Sequence, residues 1–164
     1  MQQEAYDYNI IFGDDGSRDS SALILAELAA QDEHVEAYLL SRNYGHQMAI
    51  TCGLDHADGD AVITMDGDVQ HPPELIPELL RLWEAGNEIV QTKRMATEDA
   101  GFFKNLTSAA YYKIINTLSK VEITPGGSDF RLMDRIAVDA FKLYRERARF
   151  IRGLVNTLGF HFAV

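Results

Sequence analysis

At 164 residues, with 46% hydrophobic and 24% charged residues, the chain has the length of one domain and ordinary globular usage, which excludes a disordered segment. No apolar run nears the ~18 residues of a membrane span, the polar start Met1-Gln2-Gln3-Glu4 is unlike a signal peptide, and a single cysteine, Cys52, excludes a disulfide scaffold or a cysteine-built zinc site and suits a reducing, cytoplasmic setting. The net charge of −10 argues against a nucleic-acid binder; residues 1–100 hold 5 Lys/Arg against 20 Asp/Glu and residues 101–164 hold 10 against 5, so the first part suits a cation and the second an anion, unless the two are simply differently solvated faces.

In chain order, residues 8–12 read as a strand ended by Gly13-Asp14-Asp15-Gly16. Residues 20–30 read as a helix with Leu23, Leu25, Ala26 and Leu28, capped by Asp19 or Ser20. A second strand covers 35–40, a short helix 47–57, and a third strand 61–65 runs into Asp66-Gly67-Asp68. Pro72-Pro73 opens a helix that continues through Ala85, since proline is tolerated in a first turn, and Gly86 ends it. Residues 88–92 form a fourth strand, 102–121 a long amphipathic helix, Pro125-Gly126-Gly127 a turn, and 129–133 a short extended segment. Helices at 136–144 and 150–158 and a strand at 160–164 complete the pattern. Strand–helix alternation at this spacing predicts an α/β fold, a mostly parallel sheet flanked by helices, with ligands bound beyond the carboxyl ends of the strands.

The acidic clusters fall at those ends. In an extended segment Asp66 and Asp68 point to one side, so they suit a hard cation such as Mg²⁺ or Mn²⁺, with Gln70 two residues on; a lone Asp-x-Asp also suits a plain acidic loop. Asp14 and Asp15 could accept from a nucleoside, or form a capping turn. Arg42 has the planar fork that clamps phosphate. His46 reads as a helix-start or packing histidine, and His71 as an exposed one that could otherwise join a metal site. Asp129 is a candidate catalytic carboxylate with Arg131 its partner, or the two form an ordinary ion pair. The basic run of Arg145, Arg147, Arg149 and Arg152 suits an acceptor phosphate, an anionic membrane surface or a solvated flank. Aromatics and lysines flank the stripe of the 102–121 helix, which suits a core-facing helix or a membrane interface.

These pieces occur in one order: Asp14-Asp15-Gly16-Ser17; Leu40-Ser41-Arg42-Asn43-Tyr44-Gly45-His46-Gln47; Gly59-Asp60-Ala61-Val62-Ile63-Thr64-Met65-Asp66-Gly67-Asp68-Val69-Gln70-His71-Pro72-Pro73-Glu74; Ser128-Asp129-Phe130-Arg131-Leu132-Met133; and Arg149-Phe150-Ile151-Arg152-Gly153-Leu154. In that order the chain resembles family 2 glycosyltransferases of the GT-A fold, and more narrowly the polyprenyl-phosphate hexose transferases related to dolichol-phosphate mannose synthase and bactoprenol glucosyltransferase. The resemblance implies an inverting transfer of a hexose from a nucleotide-diphosphate sugar to a polyisoprenyl phosphate, at the cytoplasmic face of a membrane. It implies Asp66, Asp68 and Gln70 on Mg²⁺ or Mn²⁺, and Asp14 and Asp15 on the nucleoside. It further implies Arg42, Arg94 and Arg131 near donor or acceptor phosphate, Asp129 on the acceptor side, and Arg149 and Arg152 near the lipid phosphate.

Two departures qualify it. Gly13 stands where the family usually has a valine, which should loosen that strand end. Nothing before Tyr6 matches the family's opening strand, which lies between the strands at 8–12 and 61–65, and no arginine-bearing or membrane-spanning segment follows Val164. Residues 1–164 are thus expected to form a single partial catalytic domain lacking the usual first strand, weakly active and prone to self-association through exposed strand edges. The rival expectations are a truncated, non-catalytic module that binds nucleotide sugar or serves as an interaction surface, and a metal-dependent phosphatase or nucleotidyltransferase, which fits Asp66 and Asp68 but not the motif order.

Overall fold

The computed structural model describes residues 6–93, 127–144 and 151–164. The expected helix at 102–121, the turn residues Pro125 and Gly126, and Arg94, Arg145, Arg147 and Arg149 lie outside the described residues; of Arg152 only the backbone is described.

The chain runs β1 (Ile10–Asp14), α1 (Ser21–Gln31), β2 (Val35–Leu39), α2 (His46–His56), β3 (Ala61–Thr64), a 3-10 turn (Pro73–Leu75), α3 (Ile76–Glu84), β4 (Ile89–Lys93), β5 (Gly127–Asp134), α4 (Arg135–Lys142), α5 (Ile151–Thr157) and β6 (Phe162–Ala163). β1 extends two residues past its expected end because Gly13 and Asp14 still pair with Tyr38 and Leu39. The helix expected from Pro72 starts instead as a 3-10 turn and becomes α-helical at Ile76.

Among the described residues the strands form two sheets: a parallel pair β1–β2, and a four-stranded sheet in the order β3-β5-β4-β6. The α/β fold with flanking helices stands, but the sheet is mixed rather than mostly parallel. β5 runs antiparallel to both β3 and β4, while β4–β6 is parallel. The hydrogen-bonded ladder is interrupted between β1 and β3, where the resemblance implies one more strand.

β5 is central, and its residues 128–133 are all buried. Its alternate side chains enter different cores. Phe130 and Leu132 join Leu79 and Val90 beneath α3. Met133 joins Leu54, Ile89, Ala137, Phe141, Ile151 and Val155 beneath α2, α4 and α5. Each such fully buried side chain contributes ~1.5–3 kcal/mol. Asp134 closes β5 and ties three elements together: its carboxylate caps α4 by accepting from Ile136 N at 2.9 Å and accepts the Trp83 indole N–H of α3 at 2.7 Å.

The two sheets are joined through α2. It packs on β1 on one side and on α4 on the other, and Gln47 Oε1 accepts from Ile151 N of α5 at 3.0 Å. Its approach to β1 depends on Gly13: a Cβ there would lie 2.8 Å from the Ala49 carbonyl oxygen. The sequence suggested that Gly13 loosens the strand end, but it stays paired with Tyr38 and its missing side chain makes room for α2. It is the point at which helix backbone rests on strand backbone, and a valine does not fit. Gly13→Val therefore destabilises the chain by ~1–3 kcal/mol through forced backbone displacement, seen as a lower denaturation midpoint; an unchanged midpoint contradicts this seating of α2.

Candidate active site

The parity of β5 places Asp129, Arg131 and Met133 on the face that α2 covers. Arg131 Nη2 donates to Asp129 Oδ1 at 2.9 Å and to the Ser128 carbonyl at 3.0 Å, with both side chains almost entirely excluded from solvent (1% and 2% exposed). A buried pair of this kind is costly to desolvate, and removing one partner leaves an uncompensated charge, a loss of ~3–5 kcal/mol. Thr64 at the end of β3 donates its hydroxyl to the Asp129 carbonyl, and Gln91 of β4 donates its amide to the Ser128 carbonyl at 3.2 Å. The strand that carries the carboxylate is thus held from both neighbours.

Asp66 follows β3 directly. The segment is not extended through Asp68, as the sequence suggested: β3 ends at Thr64 and the chain bends at residues 67–69. The two carboxylates consequently do not share a strand face. Asp66 turns inward, where its Oδ1 lies 3.4 Å from His46 Nε2 and its Oδ2 3.8 Å from His71 Nε2. Asp68 is exposed and its Oδ1 accepts from Gln70 N at 3.1 Å, a local Asx turn. Between them and Gln70 sits Val69 at φ 62, 96% exposed. A β-branched residue in the left-handed region is strained.

His71 is buried rather than exposed, at 6%. Its Nδ1 accepts from Asp66 N at 3.2 Å, so the ring proton belongs on Nε2, which meets Ser128 Oγ at 2.9 Å; the ring stacks on Phe130 at 5.3 Å. With both nitrogens engaged it pins the Asp66 loop to β5 and is not placed to ligate a metal. His46, the first residue of α2, bridges Asp66 and Asp129: its Nε2 is 3.3 Å from Asp129 Oδ2 as well as 3.4 Å from Asp66 Oδ1. Neither histidine's part was legible in the sequence, because each depends on a partner far along the chain; the position of His71 before Pro72-Pro73 was the one local hint of a fixed side chain.

Asp14, Asp15 and Arg42 lie in a second group, at the carboxyl ends of β1 and β2. An open pocket of about 370 Å³ there is lined by Asp14, Ser17, Ser41, Arg42 and Asn43, among others. The Asp14 carboxylate accepts from Ser17 N at 3.0 Å and from the Ser17 hydroxyl. Both oxygens of Asp15 accept backbone N–H groups, from Tyr44 at 2.7 Å and Gly45 at 2.9 Å. In this structure both aspartates hold loops. Gly16, at φ 70 and with no room for a Cβ against Arg42 backbone, lets the two loops meet. The Arg42 guanidinium stacks over the Tyr44 ring at 4.7 Å, and the Ser41 hydroxyl, followed by Arg42, holds the Tyr44 phenol below its ordinary pKa.

Asp66, Asp68 and Gln70 form an all-oxygen donor set, suited to a hard cation. Among the described residues no group of three or more His, Cys, Asp or Glu side chains is arranged around a metal position. Asp66 faces His46 and Asp68 its own loop, so a cation here would draw its other oxygens from ligand and water. No helix among the described residues is long and apolar enough to cross a membrane.

The profile of glycosyl transferase family 2 matches residues 1–146. The chain is 41% identical over 160 residues to an uncharacterized glycosyltransferase of Bacillus subtilis (98% of this chain, 50% of the relative). It is 39% identical over 156 residues to a prophage bactoprenol glucosyl transferase homolog of Escherichia coli (95% and 51%). It is 40% identical over 159 residues to a bactoprenol glucosyl transferase of Shigella phage SfV (97% and 52%). The chain thus spans about half the length of the curated relatives it matches.

Two outcomes follow from the loop geometry. Asp15→Ala removes two charge-assisted backbone bonds and lowers ligand-free stability by ~1–3 kcal/mol; a residue that served ligand alone would leave the melting midpoint in place. Val69→Asn relieves left-handed strain at a side chain with no packing to lose, and raises stability by ~1 kcal/mol, measured by thermal melting.

Proposed function

Because the chain belongs to glycosyl transferase family 2, we propose that it carries the reaction centre of an enzyme moving a hexose from a nucleotide-diphosphate sugar to a polyisoprenyl phosphate, with inversion at the anomeric carbon. The observation that carries this reading is the meeting of Asp66, in the loop after β3, and Asp129 of β5 at one imidazole nitrogen beside a buried arginine. Two of the similar proteins are named for glucosyl transfer to bactoprenol or as a homolog of such enzymes, which supports a lipid-phosphate acceptor and work at a membrane surface; the cytoplasmic side is part of the proposal.

In this reaction an acceptor phosphate oxygen forms the new bond to the anomeric carbon while the bond to the donor diphosphate breaks, and the nucleoside diphosphate leaves with the electron pair. A phosphate monoester, with its second pKa near ~6, is already mostly anionic at neutral pH, so little proton removal is required. Asp129 then serves mainly to position the acceptor side, held by Arg131, whose charge offsets the carboxylate and adds positive potential where phosphates gather. Asp66 and Asp68, with Gln70, would hold Mg²⁺ or Mn²⁺ on the donor diphosphate, and the ion would stabilise the charge that develops on the leaving group. Arg42, which lines the pocket at the ends of β1 and β2 with Asp14, is assigned to the donor's nucleotide portion, as are Asp14 and Asp15. Arg94 is assigned to donor phosphate, and Arg149 and Arg152 to the acceptor phosphate, by their places in the family motifs.

Calorimetry with UDP or GDP, with and without Mn²⁺, tests the donor site. Binding requires Mn²⁺ and weakens roughly tenfold or more in Asp68→Asn, as expected for loss of a metal-ligating carboxylate. Metal-independent binding that survives Asp68→Asn rejects the assignment. Asp129→Asn lowers turnover about a hundredfold while donor affinity stays within about twofold. Its melting midpoint also drops, because Arg131 keeps its buried charge without the counter-ion.

A further inference from the structure

We infer that His46 is a positioning residue for the acceptor-side carboxylate, its Nε2 hydrogen-bonded to Asp129 while standing beside Asp66 of the donor side. This inference rests on the glycosyl-transfer reading above.

The geometry is specific. His46 Nε2 lies 3.3 Å from Asp129 Oδ2 and 3.4 Å from Asp66 Oδ1. Both neighbours are carboxylate acceptors, so the ring proton that matters is on Nε2. Of the two contacts the one to Asp129 is the hydrogen bond, and it is long, so the ring holds the carboxylate without locking it. The other Asp129 oxygen, Oδ1, is held by Arg131 at 2.9 Å. His46 and Arg131 thus hold the two oxygens of Asp129 from different elements, α2 and β5, and orient the carboxylate. Arg131 is buried within the strand that carries Asp129, whereas the His46 side chain is half exposed, at the mouth of the site.

His46 also stands beside Asp66, one of the residues that would hold a cation, so the ring is positioned between the two halves of the site without itself being a ligand.

The backbone is built to hold the ring there. His46 opens α2 directly after Gly45, and Asp15 at the end of β1 accepts the N–H groups of both Tyr44 and Gly45. The missing side chain at Gly13, where a Cβ would meet Ala49 O at 2.8 Å, leaves α2 room against β1. Asp15, although its carboxylate is turned to backbone, is thereby a positioning residue for the same centre, acting through His46.

The test compares the full chain with His46→Ala and His46→Gln. One readout is transfer from UDP-glucose or GDP-mannose to undecaprenyl phosphate in detergent micelles; the other is Mn²⁺ binding in the presence of UDP or GDP, measured by electron paramagnetic resonance. In His46→Ala, kcat falls at least tenfold, while the donor KM and Mn²⁺ affinity stay within twofold, because Asp129 and not the metal-side carboxylate loses its partner. His46→Gln, which can present an amide N–H at comparable reach, recovers a measurable part of kcat. A role confined to folding would instead weaken metal binding, donor KM and kcat together, and that result overturns the proposal. So does an unchanged kcat in His46→Ala. A wild-type chain that neither binds Mn²⁺ with UDP or GDP nor transfers sugar overturns the proposal together with the glycosyl-transfer reading. A wild-type chain that transfers sugar and a His46→Ala variant that matches it overturn the role of His46 alone.

Discussion

The buried pair of Asp129 and Arg131 is the constraint around which the rest is arranged. Two opposite charges stand two residues apart on the central strand, 2.9 Å from each other and nearly free of solvent. Apolar residues of similar volume would often stabilise such a position as well or better. The pair therefore demands compensation, and the surroundings supply it. The Ser128 carbonyl accepts from Arg131, Thr64 and Gln91 secure the strand on either side, and His46 meets the remaining Asp129 oxygen. A strand at a sheet edge could not exclude water this well. The antiparallel insertion of β5 between β3 and β4 gives the site its low-dielectric floor.

Helix α2 then decides whether that floor becomes a site. It touches both sheets, and its first residue carries the imidazole that joins the acidic loop after β3 to the carboxylate on β5. Its placement rests on small features at the end of β1: a missing side chain at Gly13 and a carboxylate at Asp15 that fastens the loop before the helix. The residues at the ends of β1 and β2 contribute through this loop architecture as much as through the pocket they line. The acidic loop is fastened from the other direction by His71, which joins Asp66 N to Ser128.

Burial differs between the two sheets of the described residues. β1 has exposed and half-exposed positions along most of its length, and Ile10, Leu23, Ile24 and Leu28 remain substantially exposed on β1 and α1. The four-stranded sheet, by contrast, holds both buried clusters. Both buried clusters thus lie around β4 and β5, beneath Asp129. The β1–β2 pair is attached to the four-stranded sheet through α2, and changes at Gly13 or Asp15 act on that attachment.

The sequence by itself determined the element types and most of their boundaries, because strand and helix periodicities, proline at helix starts and glycine at turns are local signals. Motif order determined the family, and it singled out Asp66, Asp68, Asp129 and Arg131, since chemistry-bearing residues at strand ends are visible without coordinates. Tertiary structure alone decided which of these meet. The central, antiparallel place of β5 was not legible, because a six-residue buried run carries no sign of its partners or their direction. The bend after Thr64 ended the common face expected for Asp66 and Asp68, since the pleat stops where pairing with β5 stops. Asp14 and Asp15 turned to their own and neighbouring loops because unpaired backbone N–H groups lay within reach. His46 and His71 took their parts from residues 83 and 57 positions away. No local pattern encodes contacts at that separation: they exist only once the packing of α2 and β5 has brought the chain back upon itself.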